Sequence, residues 1–236
     1  MASAKKQLKQ LFEAIDRTYW GPEERALVAQ AVALAVETGD EKLEYQARMR
    51  QTASANMVGD TDTVLSSFAW CLAKHDADPR RFPRDIENGA ADLMWQFKWM
   101  GGTLQRSTAF SQAQIDAVLN DMESHYRAEG LGMSGVLTAR FEGAWDAGRF
   151  DEAEALRVQL EATERDSHSH CDACGRSQLA GYFAEVGREA DTIRLVDEML
   201  EGGFQCGEEP EHALSRALVP HLRAGQFENA RHLHLR

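Results

Sequence analysis

The residues best suited to metal chemistry lie in one short segment, His168-Ser169-His170-Cys171-Asp172-Ala173-Cys174. Two cysteines separated by two residues can bring both thiolates to one ion from a single turn of backbone, as structural zinc sites do. A four-coordinate site needs two more ligands. His168 and His170 lie just before the cysteine pair, and Cys206 follows it in the chain.

The expected helices bring Cys206 toward that pair. Apolar spacing predicts a helix over about 173–186, roughly 20 Å long, and an antiparallel helix of similar length over about 189–200. The second helix must end beside the start of the first, so the loop 201–206 arrives there. We therefore expect Zn²⁺ to be bound by Cys171, Cys174 and Cys206, with His170 or alternatively His168 as the fourth ligand. Four protein ligands make such a site structural, because no position is left for a catalytic water.

Other interpretations of the cysteines stay open. In an oxidising compartment, Cys206 would instead form a disulfide with Cys171 or Cys174. The thiols and histidines could also be unliganded groups. A redox role for the pair is less favoured, because no alternating strand and helix pattern accompanies it. Cys71 lies in a predicted helix and suits a buried position.

Apolar residues at helical spacing recur along the whole chain and predict twelve helices in six antiparallel pairs. The fifth is expected over about 84–100, ended by Gly101-Gly102, and Ser111 is expected to start the sixth. The last three pairs are expected at about 134–147 with 151–164, 173–186 with 189–200, and 211–223 with a helix from 227 onward. This organisation predicts an all-α protein in which the helices must position the thiol segment.

A repeated phrase gives the helical pairs a period. Ala147-Gly148-Arg149-Phe150-Asp151-Glu152-Ala153 returns as Ala224-Gly225-Gln226-Phe227-Glu228-Asn229-Ala230, and Val186-Gly187-Arg188-Glu189-Ala190 is a looser copy between them. The three glycines are 39 and 38 residues apart. A fixed period of this size between amphipathic helices is typical of helical-hairpin solenoids. We expect each glycine to mark a helix end and the alanine that follows it in each full copy to be buried.

The phrase resembles the tetratricopeptide-repeat superfamily, most clearly over 134–236. In that family a small residue closes the first helix, an aromatic residue follows, and an alanine lies five residues after the small one. The positions that match are Gly148, Phe150 and Ala153, then Gly225, Phe227 and Ala230, and in the ninth helix Leu179, Ala180 and Phe183. The period exceeds the usual value of about 34. An irregular all-helical domain with two chance turns is the alternative.

The resemblance implies a right-handed α-solenoid of about six antiparallel hairpins, forming a single domain over 1–236. Its repeats would be irregular over 1–130 and clearer over 131–236. Proteins of this type use the concave face, lined by the first helix of each pair, as a scaffold or adaptor that binds a protein or peptide. The groove residues expected on that face are Arg48, Asn56, Trp95, Lys98, Trp99, Glu142, Trp145 and Tyr182. Trp95 and Trp99 are four residues apart on one helical face, and this spacing favours a buried core over a ligand surface.

The net charge and the absence of catalytic motifs disfavour several classes of function. The net charge of −12 disfavours a nucleic-acid or anionic-membrane surface. Such a charge either keeps the protein in solution or suits a basic or neutral partner. The sequence contains no phosphate-binding glycine loop, no Gly-x-Ser-x-Gly and no His-Glu-x-x-His, so we do not expect an enzyme.

The sequence also leads to expectations about the cellular location and about what lies beyond the final helix. No apolar stretch approaches the roughly 20 residues of a membrane helix, and the N-terminus lacks a signal-peptide core, which together favour the cytoplasm. The final helix carries Phe227, Ala230, Leu233 and Leu235 with no polar capping helix after it. The chain is therefore expected to continue beyond Arg236, as the N-terminal part of a longer protein, or to form a homo-oligomer. The alternative function is the sensor or regulatory arm of a larger signalling or transcriptional regulator.

Overall fold

The computed structural model describes residues 2–18, 21–86, 92–202 and 211–235, and all regular secondary structure in these ranges is helical. This confirms the all-α class. The helices are α1 (Ala2–Ile15), α2 (Pro22–Thr38), α3 (Glu41–Met57), α4 (Thr61–Ala77), α5 (Leu93–Gln105), α6 (Gln112–Ala128), α7 (Ser134–Asp146), α8 (Phe150–Ala162), α9 (Asp172–Glu185), α10 (Glu189–Gly202), α11 (Glu211–Arg223) and α12 (Phe227–His234). None of them is long and apolar enough to cross a membrane.

The repeat glycines make the same turn three times. Gly148, Gly187 and Gly225 follow α7, α9 and α11 with φ of 69°, 76° and 71°, a left-handed conformation that a β-carbon disfavours. In each turn the next residue's N–H donates to the carbonyl five positions earlier, at 2.8 Å. This bond satisfies one of the carbonyls that a helix end leaves unpaired. The three copies of the sequence phrase are therefore three copies of one hairpin turn.

The alanine that follows each full copy is buried, as the repeat predicts. Ala153 on α8 and Ala230 on α12 are 0% and 4% exposed. The aromatic residues of the same phrase are not buried, since Phe150 is 43% and Phe227 is 66% exposed. Within this phrase, the small residue rather than the aromatic one is packed between helices.

Helix α5 differs from its expected range. It begins at Leu93, where the Asp92 carboxylate accepts hydrogen bonds from the N–H groups of Met94 (2.7 Å) and Trp95 (3.4 Å). It also continues through Gly101 and Gly102 to Gln105. A β-carbon on Gly101 would lie 3.2 Å from Leu119 Cδ2 on α6 and 3.6 Å from Ala139 Cβ on α7. These glycines were expected to stop the helix, but Gly101 allows its neighbours to pack closely.

Helices with odd numbers lie side by side. Each helix packs on a neighbour in sequence, and α3 also contacts α5, α5 contacts α7, and α9 contacts α11. Between α7 and α9, the rings of Phe141 and Tyr182 meet edge to face with centroids 5.2 Å apart. Buried clusters follow one another along the chain, over α1–α3, over 45–139 and over 141–233. Helices α3, α5, α7, α9 and α11 therefore supply one continuous wall.

Candidate functional site: an aromatic groove beside the thiol segment

An open groove of about 810 Å³ runs along this wall, across α3, α5, α7, α9 and α11. Its lining combines three indole rings with charged, amide and thiol groups. The lining residues are Asn56, Met57, Trp95, Trp99, Arg106, Glu142, Trp145, Asp146, His170, Cys171, Cys174, Ser177, Gln178, His212 and Arg216. Five of the eight groove residues expected from the sequence are therefore brought together here: Asn56, Trp95, Trp99, Glu142 and Trp145.

Contacts around them position two of the tryptophans. The ammonium of Lys98 lies 3.6 Å from the ring centroid of Trp95. The indole N–H of Trp145 donates to Glu185 Oε2 at 2.6 Å, and its ring meets Tyr182 at 5.8 Å. All three groove tryptophans are half-buried, so each presents part of its ring to the groove. Rings held in this way lose little freedom when a ligand packs on them.

The other three expected residues lie outside the groove lining. Arg48 pairs with Glu44 at 2.8 Å and lies over the ring of Trp70. Tyr182 is buried, and its hydroxyl donates to Glu154 Oε2 on α8 at 3.2 Å. Lys98 is buried behind the groove, where its Nζ donates to a backbone carbonyl.

Sequence reasoning missed the contribution of α11 and the charged residues near the ends of α5 and α7. His212 and Arg216 line the groove from α11, Arg106 lines it from the position just after α5, and Asp146 is the last residue of α7. The guanidinium of Arg216 donates to the Ser177 carbonyl. The signal was available, because α11 is the first helix of the last predicted pair and was left out of the expected set.

Burial shifts the pKa values of three ionisable groups in and behind the groove. It lowers the pKa of Lys98 to about 8 and, with the nearby charge of Lys98, that of His170 to about 4. Burial also raises the pKa of Glu142 to about 7, against the attraction of Lys98. The amide of Gln178 donates to Glu142 Oε1. Displaced pKa values that cluster in a cleft are typical of functional sites.

The thiol segment forms one end of the groove. Cys171 is the residue that caps α9, and its Sγ accepts a hydrogen bond from the Cys174 N–H at 3.3 Å. Cys171 is exposed and Cys174 is half-buried. His170 lines the same groove, and its buried Nδ1 has no hydrogen-bond partner in the described part of the chain. Cys206 lies outside the described residues.

His168 faces a different environment. It is buried, with Nε2 3.2 Å from Asp92 Oδ1 and Nδ1 3.1 Å from Ser167 Oγ. Its ring therefore packs against the start of α5, with both nitrogens engaged. Over the ranges that the structure describes, no three His, Cys, Asp or Glu side chains are grouped to hold a metal ion. A complete zinc site would thus require Cys206, and the side chains of His170, Cys171 and Cys174 would have to move closer together.

Comparisons with protein-family models, curated proteins and solved structures found no match to this chain.

Proposed function

We propose that this protein is a scaffold or adaptor that binds a protein or peptide segment in the groove. The observation that carries the proposal is the convergence of Trp95, Trp99 and Trp145 from two neighbouring helices on one open surface. Tryptophan and arginine are the side chains that most often dominate the energy of protein interfaces. Open, aromatic and mixed in charge, this surface suits a polypeptide better than a small substrate.

The charges of the groove bear on the ligand. Arg106 and Arg216 line the same groove as Glu142 and Asp146. Acidic and basic side chains of an extended peptide can therefore both find a group of opposite charge there. The chain as a whole carries a net charge of −12, which favours the approach of a basic or neutral partner. We therefore propose a peptide with apolar side chains for the indole rings and flanking basic residues.

We further propose that the helices form a right-handed solenoid like that of tetratricopeptide repeats. Two observations support it: the identical turns at Gly148, Gly187 and Gly225, and the side-by-side packing of the odd-numbered helices. Repeats of one hairpin stacked in register produce such a wall.

Selection from a random peptide display library tests the proposed function. We expect enriched peptides whose affinity falls at least about tenfold in Trp99→Ala, because a packed indole of this kind contributes 1.4 kcal/mol or more. Trp70→Ala is the matched control, since Trp70 is also half-buried but lies on α4 beneath Arg48 and Lys74. Failure to enrich any peptide, or equal loss in both variants, would exclude the groove as the binding site.

Zinc is a second proposal, confined to the thiol segment. We propose that Cys171, Cys174, Cys206 and His170 bind Zn²⁺ and brace the end of the groove. Support comes from the three described members of this set, His170, Cys171 and Cys174, which line one stretch of the groove wall. His168 is the less suitable fourth ligand, because its ring nitrogens already bond with Asp92 and Ser167.

A further inference from the structure

Gly181 on α9 lies between groove residues from the two neighbouring odd-numbered helices. A β-carbon on Gly181 would lie 2.7 Å from Arg216 Nη1 on α11 and 3.0 Å from Trp145 Cη2 on α7. Carbon atoms in ordinary contact lie about 3.5–4.0 Å apart, so a side chain at this position would displace at least one of the two groups. Glycine therefore allows Trp145 and Arg216 to close over α9.

We propose that Trp145 and Arg216 form an aromatic subsite, which takes an aromatic side chain of the bound peptide, and that Gly181 positions both residues. The inference rests on the proposed function, and it specifies the kind of side chain that the peptide places in this part of the groove. An aromatic ring can stack on an indole ring and also on the plane of a guanidinium group. The two groove residues therefore suit the same type of ligand group.

Trp145 belongs to a cluster of aromatic rings. Its ring centroid lies 5.9 Å from that of Phe141 and 5.8 Å from that of Tyr182. Phe141 and Tyr182 are buried, whereas Trp145 is half-buried and lines the groove. Aromatic pairs at such distances gain free energy beyond the burial of their area. Trp145 is thus the ring of this cluster that reaches the groove, and a ligand ring would extend the cluster.

Arg216 is held in place by α9. Its guanidinium donates a hydrogen bond to the carbonyl of Ser177, which lies four residues before Gly181 on that helix. The hydrogen bonds of a guanidinium group lie in its plane, whereas stacking uses the faces of that plane. Arg216 is half-buried and lines the groove. A ligand ring can therefore stack on it while the bond to α9 is kept.

The charges around the aromatic subsite balance. The groove lining contains two arginines and two carboxylates, Arg106, Arg216, Glu142 and Asp146. Just outside the lining, Lys98 is buried and Glu185 accepts the indole N–H of Trp145, so these two charges cancel as well. A charged side chain would meet groups of both signs here, whereas a neutral aromatic ring gains from stacking without any net field.

Titration of the full chain with N-acetyl-phenylalanine amide, followed by the indole N–H signal of Trp145 in an NMR spectrum, tests the proposal. The matched probe is N-acetyl-cyclohexylalanine amide, which is similar in size but has no aromatic ring. We expect a saturable shift with the phenylalanine probe. Its affinity should be at least about threefold higher than that of the cyclohexyl probe, because only the aromatic ring stacks on the indole and the guanidinium.

Substitutions on α9 and α11 test the role of Gly181. Gly181→Ala should weaken binding of the phenylalanine probe at least about threefold, because the new β-carbon displaces Trp145 or Arg216. Gly175→Ala is the matched control on the same helix, since a β-carbon there would meet only His170 Cβ, at 4.0 Å. Alanine is the better helix former, so both variants should melt at or above the wild-type temperature. Arg216→Gln removes the guanidinium itself and should weaken binding as Gly181→Ala does.

Three results would overturn the aromatic subsite: no saturable shift of Trp145 up to about 20 mM phenylalanine probe, equal affinities for the two probes, or wild-type affinity in both Gly181→Ala and Arg216→Gln. These results are distinct from failure of the proposed function. Binding of the probe at Trp145 without any selected peptide would exclude the scaffold and keep the subsite. Selected peptides that bind Gly181→Ala and Arg216→Gln as tightly as wild type would keep the groove and exclude the subsite.

Discussion

At the scale of single residues, Glu142 is the clearest sign that the groove holds unusual chemistry. Its carboxyl group is half-buried, accepts a hydrogen bond from Gln178, and has a pKa raised to about 7. Burial of the charged form outweighs the attraction of nearby Lys98. The sequence marked Glu142 as a groove residue, but its pKa depends on neighbours from α5 and α9 that only the fold brings together.

The raised pKa of Glu142 should therefore make the folded protein less stable as the pH rises. The unfolded carboxyl ionises near its ordinary pKa of 4.5, whereas the folded one keeps its proton up to about 7, so folding is opposed progressively across that window. We compare the free energy of unfolding of Glu142→Gln with that of wild type at pH 4.5 and at pH 8. The difference should shift in favour of the variant by on the order of 1–3 kcal/mol between the two pH values. Denaturant unfolding at the two pH values measures this difference.

Glu123→Gln is the control of opposite sign. Hydrogen bonds from Arg127 and Arg140 hold the pKa of Glu123 below its ordinary value, although partial burial acts against them. Its ionised form therefore stabilises the fold above the unfolded pKa, and that contribution is lost as the pH falls. If the free energy of unfolding of wild type and of Glu142→Gln changed with pH in the same way, the pKa of the Glu142 carboxyl would not be raised in the folded protein.

The thiol segment gives the second prediction at this scale. Protein purified without chelator should contain about one equivalent of zinc, and Cys174→Ser should lower both the zinc content and the melting temperature. Cys71→Ser is the control for the zinc content, which should stay unchanged, because Cys71 is buried on α4 and is not part of the proposed site. Elemental analysis decides the question, and less than roughly a tenth of an equivalent would rule out a closed four-ligand site.

At the scale of helices, local signals predicted most ends and failed where packing decided them. The capping box of Ser111 and Gln114 starts α6, and the repeat glycines end α7, α9 and α11. Gly101 and Gly102 carry the same composition signal yet lie inside α5. The role of Gly101 depends on the close approach of α6 and α7, which no local pattern reveals.

Ala153 tests the repeat register directly. It is completely buried between helices, so Ala153→Trp should overpack the contact and cost about 1–3 kcal/mol or more. Ala155→Trp places the same side chain on an exposed position of the same helix and should change stability by no more than about 0.5 kcal/mol. Thermal or denaturant unfolding compares the two. A wild-type transition in Ala153→Trp would mean that the repeat alignment is wrong.

At the scale of the whole molecule, the sequence could predict the wall but not the complete set of residues that face the groove. Trp95, Trp99 and Trp145 line it as expected, whereas Arg48 and Tyr182 lie on other faces of their helices. Small errors in helical register move a side chain out of a groove, and spacing alone does not resolve them.

Indole N–H signals in a ¹H–¹⁵N NMR spectrum, assigned by single Trp→Phe variants, test the central claim most directly. On titration with a selected peptide, the signals of Trp95 and Trp99 should move in a saturable manner. Trp70, on α4 and outside the groove, should keep its signal unchanged. Saturable binding that moves Trp70 and leaves Trp95 and Trp99 in place would contradict the account, because the peptide would then lie elsewhere on the molecule.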